Sequence, residues 1–263
     1  MHKYWAICRA SILTTLTYRV PLLVWNIGEI ISLLTIIAVW LSVSAGKTIG
    51  GYTRSELILY YIFILFLQRI VNWHPFYDVK EEIRDGTLSF WLAKPISNYR
   101  RRVFQELGWH IVSSTSGLIT TLVIVLLLGV GLSFNLTVLK IIFLASVIVL
   151  SCLICFTISM CLAQLCFWLM EVDGINSLFF TLIFIFGGQG IPVSFFPPGI
   201  HWLVEILPFR YLFSFPLEIY FGKISVLEIF RGYMIEVIWL LILISIYRRM
   251  WRAGLKRFAA FGN

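Results

Sequence analysis

The feature that most constrains this chain is its series of long apolar runs. Several approach about 20 residues, the length with which a helix crosses the hydrocarbon core of a bilayer. Backbone amides find no water in lipid, so each run is expected to be helical. A β-barrel would instead show short alternating segments. The sequence therefore predicts six spans, at Pro21–Ala45, Leu57–Trp73, Phe104–Val130, Val138–Leu169, Ile175–Gly187 and Ile229–Trp251.

Composition supports the same class. The chain is 60% hydrophobic and 13% charged, so its charged residues cannot cover a soluble globule of 263 residues. The net charge of +8 lies mostly beside the apolar runs rather than on one solvated face, which argues against a nucleic-acid-binding protein. We expect an all-α integral membrane protein, with residues 1–263 forming a single transmembrane domain.

The distribution of Lys and Arg predicts the orientation. With the amino terminus inside, fourteen basic residues lie before the first run, within 80–102 or from 248 onward. Six lie outside: Lys47, Arg54, Lys140, Arg210, Lys223 and Arg231. This excess favours cytoplasmic location of both termini, and thus of the loop between spans two and three.

Two further segments are too short or too broken to span. Residues 1–20 place apolar side chains near one helical face, which predicts an interfacial helix. A cleaved signal peptide ending at Ala45 is the alternative, although its apolar run is long for a signal core. Residues 188–225 are apolar but interrupted by prolines, which predicts a re-entrant hairpin at the outer face.

The loop at residues 76–102 concentrates charge in an apolar chain, and the stretch EEIRDGTLSFWLAKPISNYRRR holds eight charged residues. Gly86 is a candidate helix stop, Thr87 and Ser97 are candidate N-caps, and a short helix should end before Pro95. The sequence thus predicts a stiff, bent projection. Its aromatic and leucine side chains favour a protein-docking site; the alternative is an ordinary loop whose arginines contact lipid headgroups.

The string DGTLSFWLAKPIS at 85–97 resembles the acidic-Gly-Thr-Leu…Leu…Pro segment of type-2 ABC exporter permeases, where it also follows the second of six spans. Pro208–Tyr211 resembles the Pro-Phe segment that precedes the last span of that family. The interfacial helix and broken fifth span agree with the family layout. Many members carry a Glu-rich stretch before the Gly, whereas this chain has mixed charge at 81–85, which indicates a partner of matching charge.

The resemblance implies a permease subunit of an ATP-driven exporter in the cytoplasmic (inner) membrane. Its implied partners are a cytoplasmic ABC ATPase dimer, a second six-span permease (a copy or a homologue) and an amphiphilic or hydrophobic cargo. ATP and Mg would bind the ATPase, with no cofactor or catalytic residue on this chain. The residues implied in ATPase coupling are Glu82, Asp85, Gly86, Thr87, Leu88, Trp91, Leu92 and Pro95.

The chain offers only weak motifs for other functions. Gly46-Lys47-Thr48 mimics the end of a phosphate-binding loop, but position 41 is Leu where such a loop needs Gly. Cys152 and Cys155 lie in an apolar helix without a neighbouring His, so packing is favoured over metal or redox chemistry. A membrane-embedded enzyme would need ionisable residues convergent at one depth. A non-transporting membrane partner, such as an immunity or sensory subunit, stays open as an alternative.

Ionisable side chains inside the predicted spans should face the bundle and find partners. Glu29 and Arg69 approach the same inner third from neighbouring spans, so we predict an intramembrane ion pair; the alternative is that Arg69 extends to the headgroups. Glu106 and His110 lie four residues apart on one helix, where a local charge pair is expected rather than a metal site. Glu236 should also be internal.

Overall fold

The computed structural model describes residues 2–44, 48, 50–129 and 137–261. The helices are α1 His2–Thr17, α2 Arg19–Ser44, α3 Arg54–Val71, α4 Phe76–Arg84, α5 Leu88–Leu92, α6 Asn98–Leu128, α7 Val138–Gln164, α8 Asp173–Phe186, α9 Pro198–Ile206, α10 Pro208–Tyr220 and α11 Val226–Phe261. Short 3-10 turns occur at Leu165–Phe167 and Val193–Phe195. The described residues contain no strand, which confirms the all-α prediction.

Within these residues, five helical segments are long and apolar enough to cross a membrane: Val20–Val43, Arg54–Arg84, Asn98–Leu127, Val138–Phe167 and Val226–Phe258. The segment predicted as the fifth of six spans forms α8, which has only 14 residues. At the rise of an α-helix it extends about 21 Å, less than the roughly 30 Å of a hydrocarbon core. The predicted ends at Ala45 and Val130, and the Gly46-Lys47 dipeptide, lie outside the described residues.

Helix α3 occupies the centre of the bundle. Its apolar side chains, including Leu57, Ile62 and Val71, form the main core together with residues from α7 and α10. By contrast α2 is apolar on nearly all sides but mostly exposed, as a helix at the lipid-facing periphery should be. A helix in lipid needs no polar face, so α2 can be apolar all round and still lie at the periphery.

Helix α1 lies along α6 rather than standing apart. Ser11 Oγ donates to the Gln105 carbonyl at 2.7 Å, and Cys8 is fully buried. A Cβ added at Gly108 would come within 2.5 Å of the Cys8 carbonyl oxygen, so glycine permits this close approach. Trp5, three residues before Cys8, is exposed. The face predicted from the sequence is therefore divided between a protein contact and an open surface.

The chain after α8 is broken at 187–190, and tyrosines of α3 satisfy its backbone. Tyr60 Oη donates to the Gly188 carbonyl at 2.8 Å and Tyr61 Oη to the Gly190 carbonyl at 2.9 Å. The Ser214 amide of α10 donates to the Gly187 carbonyl at 3.0 Å. These bonds remove the cost of burying unpaired carbonyls at an irregular segment.

Helices α9 and α10 follow this break, and a buried ion pair connects two turns of α10. Arg210 Nη2 lies 2.6 Å from Glu218 Oε2, eight residues further along the same helix. Burial alone would lower the pKa of the Arg210 guanidinium, but the Glu218 carboxylate outweighs it and raises that pKa above its ordinary value. Arg210, whose side chain is only 12% exposed, therefore stays charged.

Candidate functional site

The polar loop at 76–102, called here the α4–α5 segment, folds into two short helices separated by a tight turn. Gly86 adopts φ +72°, the left-handed conformation predicted for a helix stop. Ser97 Oγ accepts from the Arg100 amide at the start of α6, which confirms that cap. The predicted Thr87 cap is wrong, because its side chain makes no capping bond; Ser89 Oγ instead donates to the Gly86 carbonyl.

The inward face of the α4–α5 segment is apolar. Phe76, Val79 and Ile83 follow helical spacing along α4 and are buried against α7. Leu88 at the start of α5 is also fully buried in this cluster. Among the residues that the resemblance implies in coupling, Leu88 therefore anchors the segment to the bundle, and its side chain is not presented at the surface.

Ion pairs attach the same segment to α6. The Arg101 guanidinium is bidentate on Glu82, with Nη1–Oε1 at 2.9 Å and Nη2–Oε2 at 2.6 Å. Arg102 Nη2 lies 2.8 Å from Glu82 Oε2, and its Nη1 lies 2.7 Å from Asp78 Oδ2. Both arginine side chains are 2% exposed. The headgroup-contact interpretation is therefore wrong for Arg101 and Arg102, although Arg100 is exposed.

The outward face of α5 carries exposed apolar and aromatic side chains. Phe90 is 59% exposed, and Leu92 is also exposed. Lys94 Nζ lies 3.7 Å from the Phe90 ring centroid and 4.4 Å from that of Trp91, and the Arg101 guanidinium lies 4.2 Å from Trp91. Cations on ring faces hold the aromatic side chains in place. The residues that the resemblance implies in coupling include exposed Leu92 and half-buried Trp91 but not the more exposed Phe90.

The other residues that the resemblance implies in ATPase coupling lie either around the turn or on the side that contacts α6. Asp85, Thr87 and Pro95 are exposed around the tip, and Gly86 is half-buried at the turn. Glu82 faces α6 through its arginine contacts. The structure thus brings most of the predicted set to one bent surface, with Glu82 and Leu88 on its inner side.

Two other elements contact the α4–α5 segment. Lys80 Nζ lies 2.7 Å from Asp173 Oδ1 at the start of α8. On the other side, Lys3 of α1 donates to the Pro95 carbonyl, and the Ser97 amide donates to the Tyr4 hydroxyl at 3.2 Å. The segment is therefore held from three directions, by α1, α6 and the start of α8.

A second polar group of residues lies within the bundle. Arg69 Nη2 is 2.8 Å from Glu29 Oε2 and also bonds Asn26 Oδ1, so the two charges named from the sequence are paired in the structure. The Arg69 side chain is buried and does not extend to the surface. His110 Nδ1 bonds the Arg69 carbonyl at 2.9 Å, and its Nε2 lies 3.6 Å from Glu106 Oε2. These contacts join α2, α3 and α6.

The other chemical candidates occupy packed positions. Cys152 and Cys155 are buried free thiols. Glu236 is fully buried, and Ser151 Oγ donates to its Oε1 at 3.2 Å. Across the described residues, no group of three or more His, Cys, Asp or Glu is arranged to hold a metal ion.

The sequence comparisons decide the family. Residues 23–262 match the family described as ABC-2 family transporter protein, so the match covers most of the chain. The chain belongs to the ABC-2 transporter family. The resemblance inferred from residues 85–97 is thereby confirmed at the level of family. No curated protein matches the chain.

Membership in the ABC-2 family gives the helical bundle a functional class. This ABC-2 protein is a multi-pass membrane protein of a transporter family. The family implies association with an ABC ATPase. In this ABC-2 protein the α4–α5 segment combines an anchored inner face with an exposed tip.

Proposed function

We propose that this chain is the permease subunit of an ATP-driven exporter, and that the α4–α5 segment docks onto a cytoplasmic ABC ATPase. One observation carries the proposal: exposed Phe90 and Leu92 project from a segment whose inner face is fixed by buried ion pairs to α6. Exposed apolar side chains rimmed by charge suit a partner's groove. A rigid attachment then transmits force from that groove.

Coupling would work through contacts that differ between two ATPase states. ATP and Mg bind the ATPase, whose closure moves the tip of the α4–α5 segment. That motion passes directly to α6 through Glu82 and to α3 through the short connection before α4. Arg69 then links α3 to α2 and α6 within the bundle. A second permease, a copy or a homologue, completes the path for an amphiphilic or hydrophobic cargo.

The proposed topology has six crossings, with residues 1–263 as one domain in the inner membrane and both termini cytoplasmic. Five spans alone would place the two termini on opposite sides. The basic residues after 248 favour the same side as the α4–α5 segment. α8 supplies the sixth crossing, with its 14 residues extended by the bonded break at 187–190. Residues 188–225 then form the outer re-entrant hairpin, and α1 lies in the inner interface.

The test is to co-purify this chain with its ABC ATPase and to measure ATP turnover and cargo export in liposomes. Phe90→Ala and Leu92→Ala should each weaken ATPase binding about tenfold, the effect of losing a central interface side chain worth roughly 1.4 kcal/mol. Phe230→Ala is the matched control, because Phe230 is comparably exposed at the far end of the bundle.

The outcomes separate the alternatives. Loss of coupled turnover with Phe90→Ala but not Phe230→Ala supports the exporter. An ATPase that binds through Phe90 but whose turnover ignores this chain would indicate a non-transporting immunity or sensory partner. A silent Phe90→Ala, with ATPase bound elsewhere, would refute docking by the α4–α5 segment.

A further inference from the structure

A cleft of about 450 Å³ opens between α5, the start of α6 and residues 244–251 in the second half of α11. It lies at the start of the candidate span Asn98–Leu127 and within the later part of the candidate span Val226–Phe258. Arginines at the start of a span are expected to lie at the level of the lipid headgroups. The volume falls within the range of small-molecule sites.

One part of the cleft is cationic. Arg100 and Arg248 line it, both are exposed, and neither has an acidic side chain within 4.0 Å in the described part of the chain. Arg101 also lines the cleft, and its Nε is buried without a hydrogen-bond partner. The N-terminus of α6 adds positive potential there, and its Arg100 amide is bonded to Ser97 Oγ. An anionic group would pair with the exposed Arg100 and Arg248 guanidinium groups.

The other part of the cleft is apolar and aromatic. Tyr247 and Trp251 of α11 stack with ring centroids 6.2 Å apart, and Ile244 continues this wall one turn earlier. Toward the amino-terminal end of the same helix, Leu241 is exposed on the adjoining face, where lipid would lie. An occupant can thus place an anion on the arginines and an acyl chain along α11.

We propose that this cleft binds an anionic phospholipid from the leaflet next to the α4–α5 segment. Its phosphate bonds Arg100 and Arg248, and its acyl chain follows α11. A soluble phosphate would use only the arginines and leave the apolar wall uncovered. The site does not depend on the exporter assignment. If the exporter assignment holds, the lipid fills the space between α5 and α11 and makes docking sensitive to membrane composition.

The experiment is native mass spectrometry of the full-length protein, released from nanodiscs that contain equal phosphatidylglycerol and phosphatidylcholine. We expect one retained phosphatidylglycerol per chain. The double variant Arg100→Ala/Arg248→Ala should lower its occupancy at least tenfold, as expected when two charge-assisted hydrogen bonds are lost. The control is Arg249→Ala/Arg252→Ala, which removes two exposed arginines of α11 that do not line the cleft. Thermal midpoints should match for both doubles, because all four side chains are exposed.

Each other outcome overturns the proposal. Equal losses in both double variants would mean general surface attraction only. Displacement of the lipid by an equimolar concentration of glycerol phosphate would indicate a free phosphate site. Unchanged lipid retention with loss of ATPase co-purification in Arg100→Ala/Arg248→Ala would assign the arginines to the protein partner.

Discussion

Replacing Glu82 with Gln removes the only carboxylate that both Arg101 and Arg102 share among the described residues. Each arginine is 2% exposed and Glu82 is 14% exposed, so the lost charge leaves buried guanidinium groups poorly paired. Breaking a buried pair by removing one partner costs about 3–5 kcal/mol. Arg102 keeps Asp78, which is half exposed, so the lower end of about 3 kcal/mol applies.

At roughly 2–4 °C per kcal/mol for a chain of this size, the expected drop in thermal midpoint is about 6–12 °C. Tryptophan fluorescence of the detergent-purified protein during heating would measure it. Glu81→Gln is the control, since Glu81 is exposed and the change should stay within about 0.5 kcal/mol. Adding Arg101→Gln to Glu82→Gln should cost less than the sum of the single changes. If Glu82→Gln and Glu81→Gln shift the midpoint equally, the ion pairs do not hold the α4–α5 segment to α6.

Three other substitutions test separate contacts. Gly108→Val should detach α1 and lower the yield of folded protein several-fold, whereas Gly28→Ala, which has open space around it, should not; equal yields would contradict the close approach. Tyr60→Phe should cost about 1–3 kcal/mol in thermal unfolding by leaving a buried carbonyl unpaired, and an unchanged midpoint would refute that role. Replacing both Glu29 and Arg69 with Leu should reduce expression no more than replacing one; additive losses would show that they act independently.

The features that sequence reasoning predicted well are local. Gly86 acts through its own left-handed backbone conformation, and Ser97 acts through a hydrogen bond to the amide three residues later. Both roles can therefore be predicted from the neighbouring sequence. The Thr87 cap was predicted wrongly because Thr87 takes a helical backbone conformation (φ −66°, ψ −13°) rather than the extended one of an N-cap, and the neighbouring sequence does not indicate this.

Features that depend on the angle between helices could not be predicted in the same way. The pairing of Glu82 with Arg101 and Arg102 requires the bend at residues 85–97 to bring the first turns of α6 back beside the Glu82 side chain of α4. The inward direction of Leu88 has the same origin, because a five-residue helix has too little periodicity to define its buried face. For Glu29 and Arg69 the sequence indicated only a common depth in the membrane; it did not indicate that Asn26 and Ser113 also bond the Arg69 guanidinium.

The length of α8 shows a limit of hydropathy. Its apolar run predicts a crossing, but the helix stops at Phe186, where glycines allow the chain to turn. What replaces the missing helical turns is a set of bonds from Tyr60, Tyr61 and Ser214, which lie far away in the sequence. No pattern within residues 173–190 reveals them.

The tyrosine bonds make α3 a lever between the two sides of the molecule. Its 18 residues extend about 27 Å, and Tyr60 lies 11 residues, about 17 Å, from the Val71 end that leads to α4. A tilt of about ten degrees around the Val71 end would displace Tyr60 by about 3 Å. That is as large as the 2.8 Å between Tyr60 Oη and the Gly188 oxygen, so the glycine break must either travel with α3 or release it. A movement of α3 at its α4 end is therefore coupled to a movement of the glycine break at residues 187–190.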